Sequence, residues 1–156
     1  YQKSLKLILF LSIFALVSAY FIQYVLGHQP CNLCLFERVP YLSSIIIILS
    51  CFYFKKVEKI SLILLSLVFF FATILSFYHF GIEQGFIKES LVCNLSVGDN
   101  FINPEELLKS LKEKPISCKN VTFRLFGLSL ATINIFISLI MSVITLKLFL
   151  DYEKNK

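Results

Sequence analysis

The cysteines carry most of the chemical potential of this chain. Cys31 and Cys34 lie in the string Pro30-Cys31-Asn32-Leu33-Cys34-Leu35-Phe36-Glu37-Arg38. Two cysteines separated by two residues can close a small, strained disulfide ring, which is why this spacing recurs in thiol–disulfide exchange. A static staple would gain little there, because a short ring removes little entropy from the unfolded chain. Metal binding is the other reading of the string, since His28, Cys31 and Cys34 offer ligands of suitable type. No fourth ligand is close in sequence, so redox chemistry is favoured. If a helix begins at this string, Cys34 and Arg38 stand at i and i+4 on one face. The guanidinium would then favour a Cys34 thiolate and offer donors to an acceptor carbonyl.

A second pair, Cys93 and Cys118, brackets the segment Ile102-Asn103-Pro104-Glu105-Glu106-Leu107-Leu108-Lys109-Ser110-Leu111-Lys112. Asn103 reads as an N-cap, Pro104 as the first helical residue, and the two acids complement the helix start. Leu107, Leu108 and Leu111 form one apolar face, and Pro115 ends the segment. The pattern predicts a short amphipathic helix, about Pro104 to Glu113, lying on a bilayer surface. Cys51 stands apart inside an apolar run and reads as a packing residue.

The elements that must hold these thiols are written in the composition. Of 156 residues, 57% are hydrophobic and 16% charged, with 17 Phe and no Trp. A soluble domain carries about a quarter charged residues. The apolar residues fall in four runs: Leu5 to Val25, Pro40 to Phe54, Ile60 to Phe80 and Phe126 to Leu146. Three of them have about 20 residues, enough to cross about 30 Å of hydrocarbon. The second reaches spanning length only if its helix extends back through Leu33-Cys34-Leu35-Phe36, carrying Glu37 and Arg38. The prediction is therefore an all-α membrane protein, one membrane domain over 1–156. Its spans are about 5–25, 36–54, 60–80 and 126–146, joined on the outer side by loops of about 26–35 and 81–125. Val17-Ser18-Ala19 resembles a signal-peptide cleavage site, but the apolar run continues past it, which predicts an uncleaved first span.

Charge sets the orientation. Lys3 and Lys6 precede the first span, Lys55, Lys56 and Lys59 separate the second from the third, and Lys147, Lys154 and Lys156 follow the fourth. The opposite short loop, Gly27 to Phe36, has no Lys or Arg. Both termini are predicted to be cytoplasmic, which puts Cys31, Cys34, Cys93 and Cys118 outside the cytoplasm, where disulfides persist. The net charge of +5 follows from these flanking lysines. With no nucleic-acid motif, it does not point to nucleic acid.

Weaker signals complete the reading. His79, in Tyr78-His79-Phe80-Gly81-Ile82-Glu83 at the outer end of the third span, reads equally as a residue that approaches a cofactor or tunes a thiolate and as a capping or interfacial histidine. His28 reads as an ordinary loop residue. Asn134, Ser138, Ser142 and Thr145 recur at helical spacing and predict hydrogen bonds between helices.

Taken together, the Cys-Asn-Leu-Cys-Leu-Phe-Glu-Arg string, the second outer cysteine pair, the four spans and the Leu125-Phe126-Gly127-Leu128-Ser129 entry to the last span resemble the DsbB family of bacterial disulfide-bond formation proteins. The resemblance covers nearly the whole chain. It implies a four-transmembrane-helix bundle in the bacterial inner membrane, with both termini cytoplasmic and an interfacial helix in the second periplasmic loop. It further implies a quinone-dependent thiol oxidoreductase that reoxidises a periplasmic, DsbA-like thioredoxin-fold partner and reduces ubiquinone or menaquinone. By position, Cys93 would receive the partner's thiolate and release Cys118. Cys118 would attack Cys31, freeing Cys34 to pass electrons to quinone beside Arg38, with His79 nearby. Such a relay implies Cys31–Cys34 and Cys93–Cys118 disulfides at rest. It also makes energetic sense, because a couple near about −120 mV needs a stronger acceptor than glutathione.

Two alternatives compete. Vitamin K epoxide reductase-like proteins are also quinone-linked four-helix bundles, but their quinone-side Cys-x-x-Cys follows the loop cysteines, whereas here it comes first. The other alternative is a non-enzymatic membrane protein that uses its cysteines to handle metal.

Overall fold

The computed structural model describes residues 2–54, 58–88, 93, 118–119, 124–125 and 127–154. The amphipathic helix expected from about Pro104 to Glu113 lies outside these residues. The described elements are α1 (Gln2–Tyr24), α2 (Asn32–Phe36), α3 (Val39–Tyr53), α4 (Glu58–Glu83), β1 (Arg124–Leu125), β2 (Leu128–Ser129) and α5 (Leu130–Lys154). Four stretches are long and apolar enough to cross a membrane: Gln2–Tyr24, Asn32–Tyr53, Glu58–Glu83 and Leu130–Lys154. In hydrocarbon every backbone N–H and C=O must be satisfied within its own segment, and apolar runs of this length meet that demand as helices.

The second stretch starts at Asn32, earlier than the expected 36, and is broken between α2 and α3 at Glu37-Arg38. Pro40 supplies the reason. It stands in the first turn of α3 and has no N–H to bond back toward Phe36, so the ladder is interrupted there. The start of α5 also differs from expectation, because the hairpin occupies the residues ahead of it. Arg124 pairs with Ser129 and Leu125 with Leu128, around Gly127 at φ +84°, a left-handed conformation open to glycine. Ser129 then caps α5, its Oγ accepting from the Thr132 N–H at 3.2 Å.

Each helix turns one stripe inward. Leu5, Ile8 and Ser12 of α1, Tyr41, Ser44, Ile48 and Cys51 of α3, and Ala131, Ile135, Ser138 and Met141 of α5 are buried at spacings of three and four. Of these, Leu5, Ile8, Tyr41, Ile48, Cys51 and Met141 gather around Leu62, Leu65 and Phe69 of α4 in one core cluster, in which Cys51 is a packing residue. The opposite faces are large, apolar and exposed, with Phe10 at 64%, Phe71 at 65% and Val143 at 59%. Surfaces of that kind suit lipid and not water, and the chain is a multi-pass membrane protein.

Since lipid is as apolar as a leucine side chain, the hydrophobic effect does little to join these helices, and polar contacts contribute instead. The Ser44 hydroxyl donates to Ser12 Oγ at 3.0 Å, linking α3 to α1. Thr73 donates to Ser138 Oγ at 3.2 Å and Asn134 Nδ2 to Ser76 Oγ at 2.7 Å, both between α4 and α5. Tyr41 of α3 donates to Asn134 Oδ1, so Asn134 ties three helices. Thr145 turns back to its own helix, donating to the Met141 carbonyl at 2.9 Å. α4 makes its most extensive contact with α5, and α3 lies between α1 and α4. At the end where α4 begins and α5 finishes, Lys59 and Glu153 form an exposed ion pair at 2.9 Å.

Candidate active site

At the opposite end, where α1 and α4 finish and α2 and α5 begin, the thiols gather. Cys31 is the N-cap of α2, and its Sγ accepts from the Cys34 N–H at 3.4 Å. The cap turns the Cys31 sulfur back toward Cys34, and the two Sγ atoms are 2.9 Å apart as free thiols. Cys93 and Cys118 are joined in a disulfide. The pairing implied by the resemblance is present at Cys93 and Cys118, while Cys31 and Cys34 stand in contact without a bond between them. Cys31, Leu33, Ile82, Cys93 and Cys118 form one buried cluster, with Cys34, Leu75 and Tyr78 packed against it. Residues far apart in sequence are therefore brought to one place.

His79 reaches the same place from the last turns of α4. It is 2% exposed, with Nε2 3.5 Å from Cys31 Sγ and Nδ1 3.0 Å from Glu37 Oε1. A proton on Nδ1 satisfies the Glu37 carboxylate and leaves Nε2 facing the thiol. One turn further, Glu83 Oε1 lies 3.7 Å from Nε2. Ser129, at the mouth of α5, lies next to the same carboxyl group.

The consequence falls on Cys31. Hydrogen bonding from the Cys34 thiol, opposed by burial and reinforced by His79, holds the Cys31 thiol well below the ordinary cysteine range. Because the thiolate is the nucleophile and the better leaving group, this sulfur is prepared for exchange. The expected helper of a thiolate was Arg38, acting on Cys34. Its Nη1 instead donates to Gln23 Oε1 at 2.6 Å, and its guanidinium carbon lies 4.9 Å from the centre of the Tyr20 ring. Both contacts are with α1.

The structure therefore brings Cys31, Cys34, His79, Cys93 and Cys118 together and ties Arg38 to α1 at the edge of the group. Glu37 and Glu83 were not singled out in the sequence. The signal for Glu37 was a carboxylate inside a span, which is costly there and calls for a partner. The signal for Glu83 was its i+4 spacing from His79.

Comparisons with known proteins identify the family of the chain. Residues 2–148 match the family model described as disulfide bond formation protein DsbB. An uncharacterized protein of Rickettsia prowazekii (strain Madrid E) is 31% identical over 156 residues, covering 98% of this chain and 90% of that protein. No solved structure matches the chain. A match over nearly its whole length, with both cysteine pairs inside it, makes this chain a member of the DsbB family of disulfide-forming thiol oxidoreductases.

Proposed function

We propose that this membrane protein reoxidises a periplasmic, DsbA-like thioredoxin-fold dithiol and transfers the electrons to ubiquinone or menaquinone in the bacterial inner membrane. In this reading both termini are cytoplasmic, as the lysines flanking the spans favour, and both cysteine pairs are periplasmic. The observation that carries the proposal is the single buried cluster shared by the two cysteine pairs.

The exchange runs through sulfur. A partner thiolate attacks Cys93 Sγ, forming a mixed disulfide as Cys118 leaves as thiolate. Cys118 then attacks Cys31 Sγ within a Cys31–Cys34 disulfide, and Cys34 leaves with the electron pair. The partner's second thiol resolves the mixed disulfide, leaving the partner oxidised. Two thiols have become one disulfide, and two electrons and two protons remain to be passed on. The features that depress the Cys31 thiol also make Cys31 a good leaving group whenever a disulfide to it is broken.

A bound quinone supplies the acceptor for those two electrons and two protons. The residues at the edge of the site suit such a ligand. Cys34 and Arg38 are half-buried, and they are flanked by the exposed apolar side chains of Phe36 and Val39. A thiol and a guanidinium beside apolar, outward-facing side chains match a ring that carries carbonyl acceptors on a lipid tail. Cys34 and Arg38 would hold it, and His79 with Glu37 would manage the proton at Nε2.

The test is reduction of quinone by purified protein supplied with a reduced thioredoxin-fold dithiol. One quinone reduced per partner disulfide formed is expected. Oxidation of the partner with no quinone reduced, whichever quinone is supplied, would refute the proposed acceptor.

A further inference from the structure

The exchange described above leaves Glu83 without a task, although its position is costly. The side chain is 6% exposed, and Oε2 is buried with no hydrogen-bond partner among the described residues. A buried carboxylate oxygen left unpaired opposes folding unless something occupies the place beside it. The other oxygen, Oε1, lies 3.7 Å from His79 Nε2, and that nitrogen belongs to a group of three strong ligand atoms. Cys31 Sγ, Cys34 Sγ and His79 Nε2 all lie within 4.8 Å of one another.

The histidine is held as a ligand needs to be. Its Nδ1 lies 3.0 Å from Glu37 Oε1 and its Nε2 3.5 Å from Cys31 Sγ, so a proton held on Nδ1 leaves Nε2 for a cation at the thiols. A carboxylate on the far ring nitrogen is the usual device for fixing the tautomer and angle of a metal-binding histidine. The spacing also fits. With Zn–S of about 2.3 Å and Zn–N or Zn–O of about 2.0–2.2 Å, neighbouring ligand atoms of a tetrahedron are about 3.4–3.8 Å apart. Cys31 Sγ to His79 Nε2 is 3.5 Å, and His79 Nε2 to Glu83 Oε1 is 3.7 Å; Glu83 stands outside the group that lies within 4.8 Å, so its carboxylate must move by at least about 1 Å to join both sulfurs. The sulfurs, 2.9 Å apart, must separate by about 0.9 Å to reach a tetrahedral edge. Half-buried Cys34 can give that by a small side-chain rotation.

We propose that the reduced Cys31–Cys34 pair, together with His79 and Glu83, binds one thiophilic divalent cation of the Zn²⁺ or Cd²⁺ class, with Glu37 orienting His79 from outside. Two sulfurs, one imidazole and one carboxylate select this class over Ca²⁺ or Mg²⁺, which require oxygen ligands in greater number. Binding displaces the two thiol protons and changes no oxidation state. A disulfide between Cys31 and Cys34 removes both thiolates, so the oxidised protein releases the ion and the bound ion blocks oxidation. Occupancy does not depend on the proposed electron acceptor; only inhibition of turnover does.

The test uses the full chain in lipid nanodiscs, carrying Cys93→Ser and Cys118→Ser, reduced and titrated with Cd²⁺. The sulfur-to-cadmium charge-transfer band should saturate at one ion per chain, and X-ray absorption should count two sulfurs and two nitrogen or oxygen neighbours. Glu37→Gln should weaken binding roughly 10- to 100-fold, as loss of an outer partner does. Glu83→Gln should weaken it at least as much, and protein with the Cys31–Cys34 disulfide closed should not bind. A first shell without nitrogen or oxygen from the protein, or full affinity in both glutamate variants, overturns the proposal. The neighbour count on the parent decides the matter should a variant fail to fold. Binding without quinone turnover would leave this site standing and the acceptor reading refuted; turnover without binding would do the reverse.

Discussion

Ser76 and His79 lie one helical turn apart on α4, and both are buried, yet their surroundings differ in kind. The Ser76 hydroxyl donates to the Ala72 carbonyl at 2.9 Å and accepts from Asn134 at 2.7 Å. Nothing in that group titrates near neutral pH, and Asn134 passes the contact on to Tyr41. His79 is surrounded by groups that do exchange protons: a thiol, the Glu37 carboxylate and the Glu83 carboxylate, one oxygen of which has no hydrogen-bond partner among the described residues. A closed set of neutral hydrogen bonds joins helices in a medium where apolar contact gives little cohesion. An open set of titratable groups at the same depth has a cost that structure alone does not repay, and it marks where chemistry occurs.

Substitutions should separate the two regions, and the largest effect belongs to the open one. His79→Ala removes one of the two neighbours that depress the Cys31 thiol. In reduced protein, alkylation of Cys31 followed by peptide mass spectrometry should level off below the pH typical of a free cysteine. In the variant the profile should move to higher pH, making the reaction roughly 10- to 100-fold slower at pH 6, since each unit below the thiol pKa costs tenfold in thiolate. The rates should converge at alkaline pH, where both proteins hold thiolate. An unmoved profile would reduce His79 to packing.

Arg38→Met comes next. It should raise the apparent Michaelis constant for quinone about tenfold, the loss of one charged hydrogen-bond donor, and leave mixed-disulfide formation at Cys93 intact. Gln23→Leu removes the partner that α1 offers to Arg38 and keeps the charge. If it reproduces the Arg38→Met phenotype, Arg38 acts by docking α1 and not by contacting quinone.

In the closed region the readout is stability. Asn134→Leu leaves the Tyr41 and Ser76 hydroxyls without their shared partner and should cost about 1–2 kcal/mol in a reversible unfolding titration. Turnover per folded molecule should hardly change. Smallest of all, Lys59→Ala at the far end removes an ion pair whose side chains are 46% and 53% exposed. It should cost under about 0.5 kcal/mol and nothing in activity.

The same contrast governs what could be read in advance. Spans, charge bias and the Cys31-x-x-Cys34 pair were legible because a bilayer demands long apolar runs and because the ring spacing is local. Asn134 and Ser138 were legible as bonding positions, since polar residues repeating along an apolar helix have few other uses. Their partners Ser76 and Thr73 were not, because nothing local in α4 distinguishes them. The pairing of Glu37 with His79 joins different helices across 42 residues of sequence, and only the crossing of α2 and α4 creates it. The destination of Arg38 was hidden in the same way, because Gln23 and Tyr20 stand on α1 and only the packing of α1 beside α3 brings them to it.

The central claim is that two cysteine pairs, placed in separate loops, form one path for electrons. Trapping the bond between them tests it most directly. In Cys34→Ser with Cys93→Ser, the thiols of Cys31 and Cys118 lose their own partners while the buried cluster remains. Non-reducing peptide mass spectrometry on membranes prepared without reductant should find Cys31 linked to Cys118. Finding both thiols free in oxidised membranes, or either one linked to Cys51, would contradict the relay.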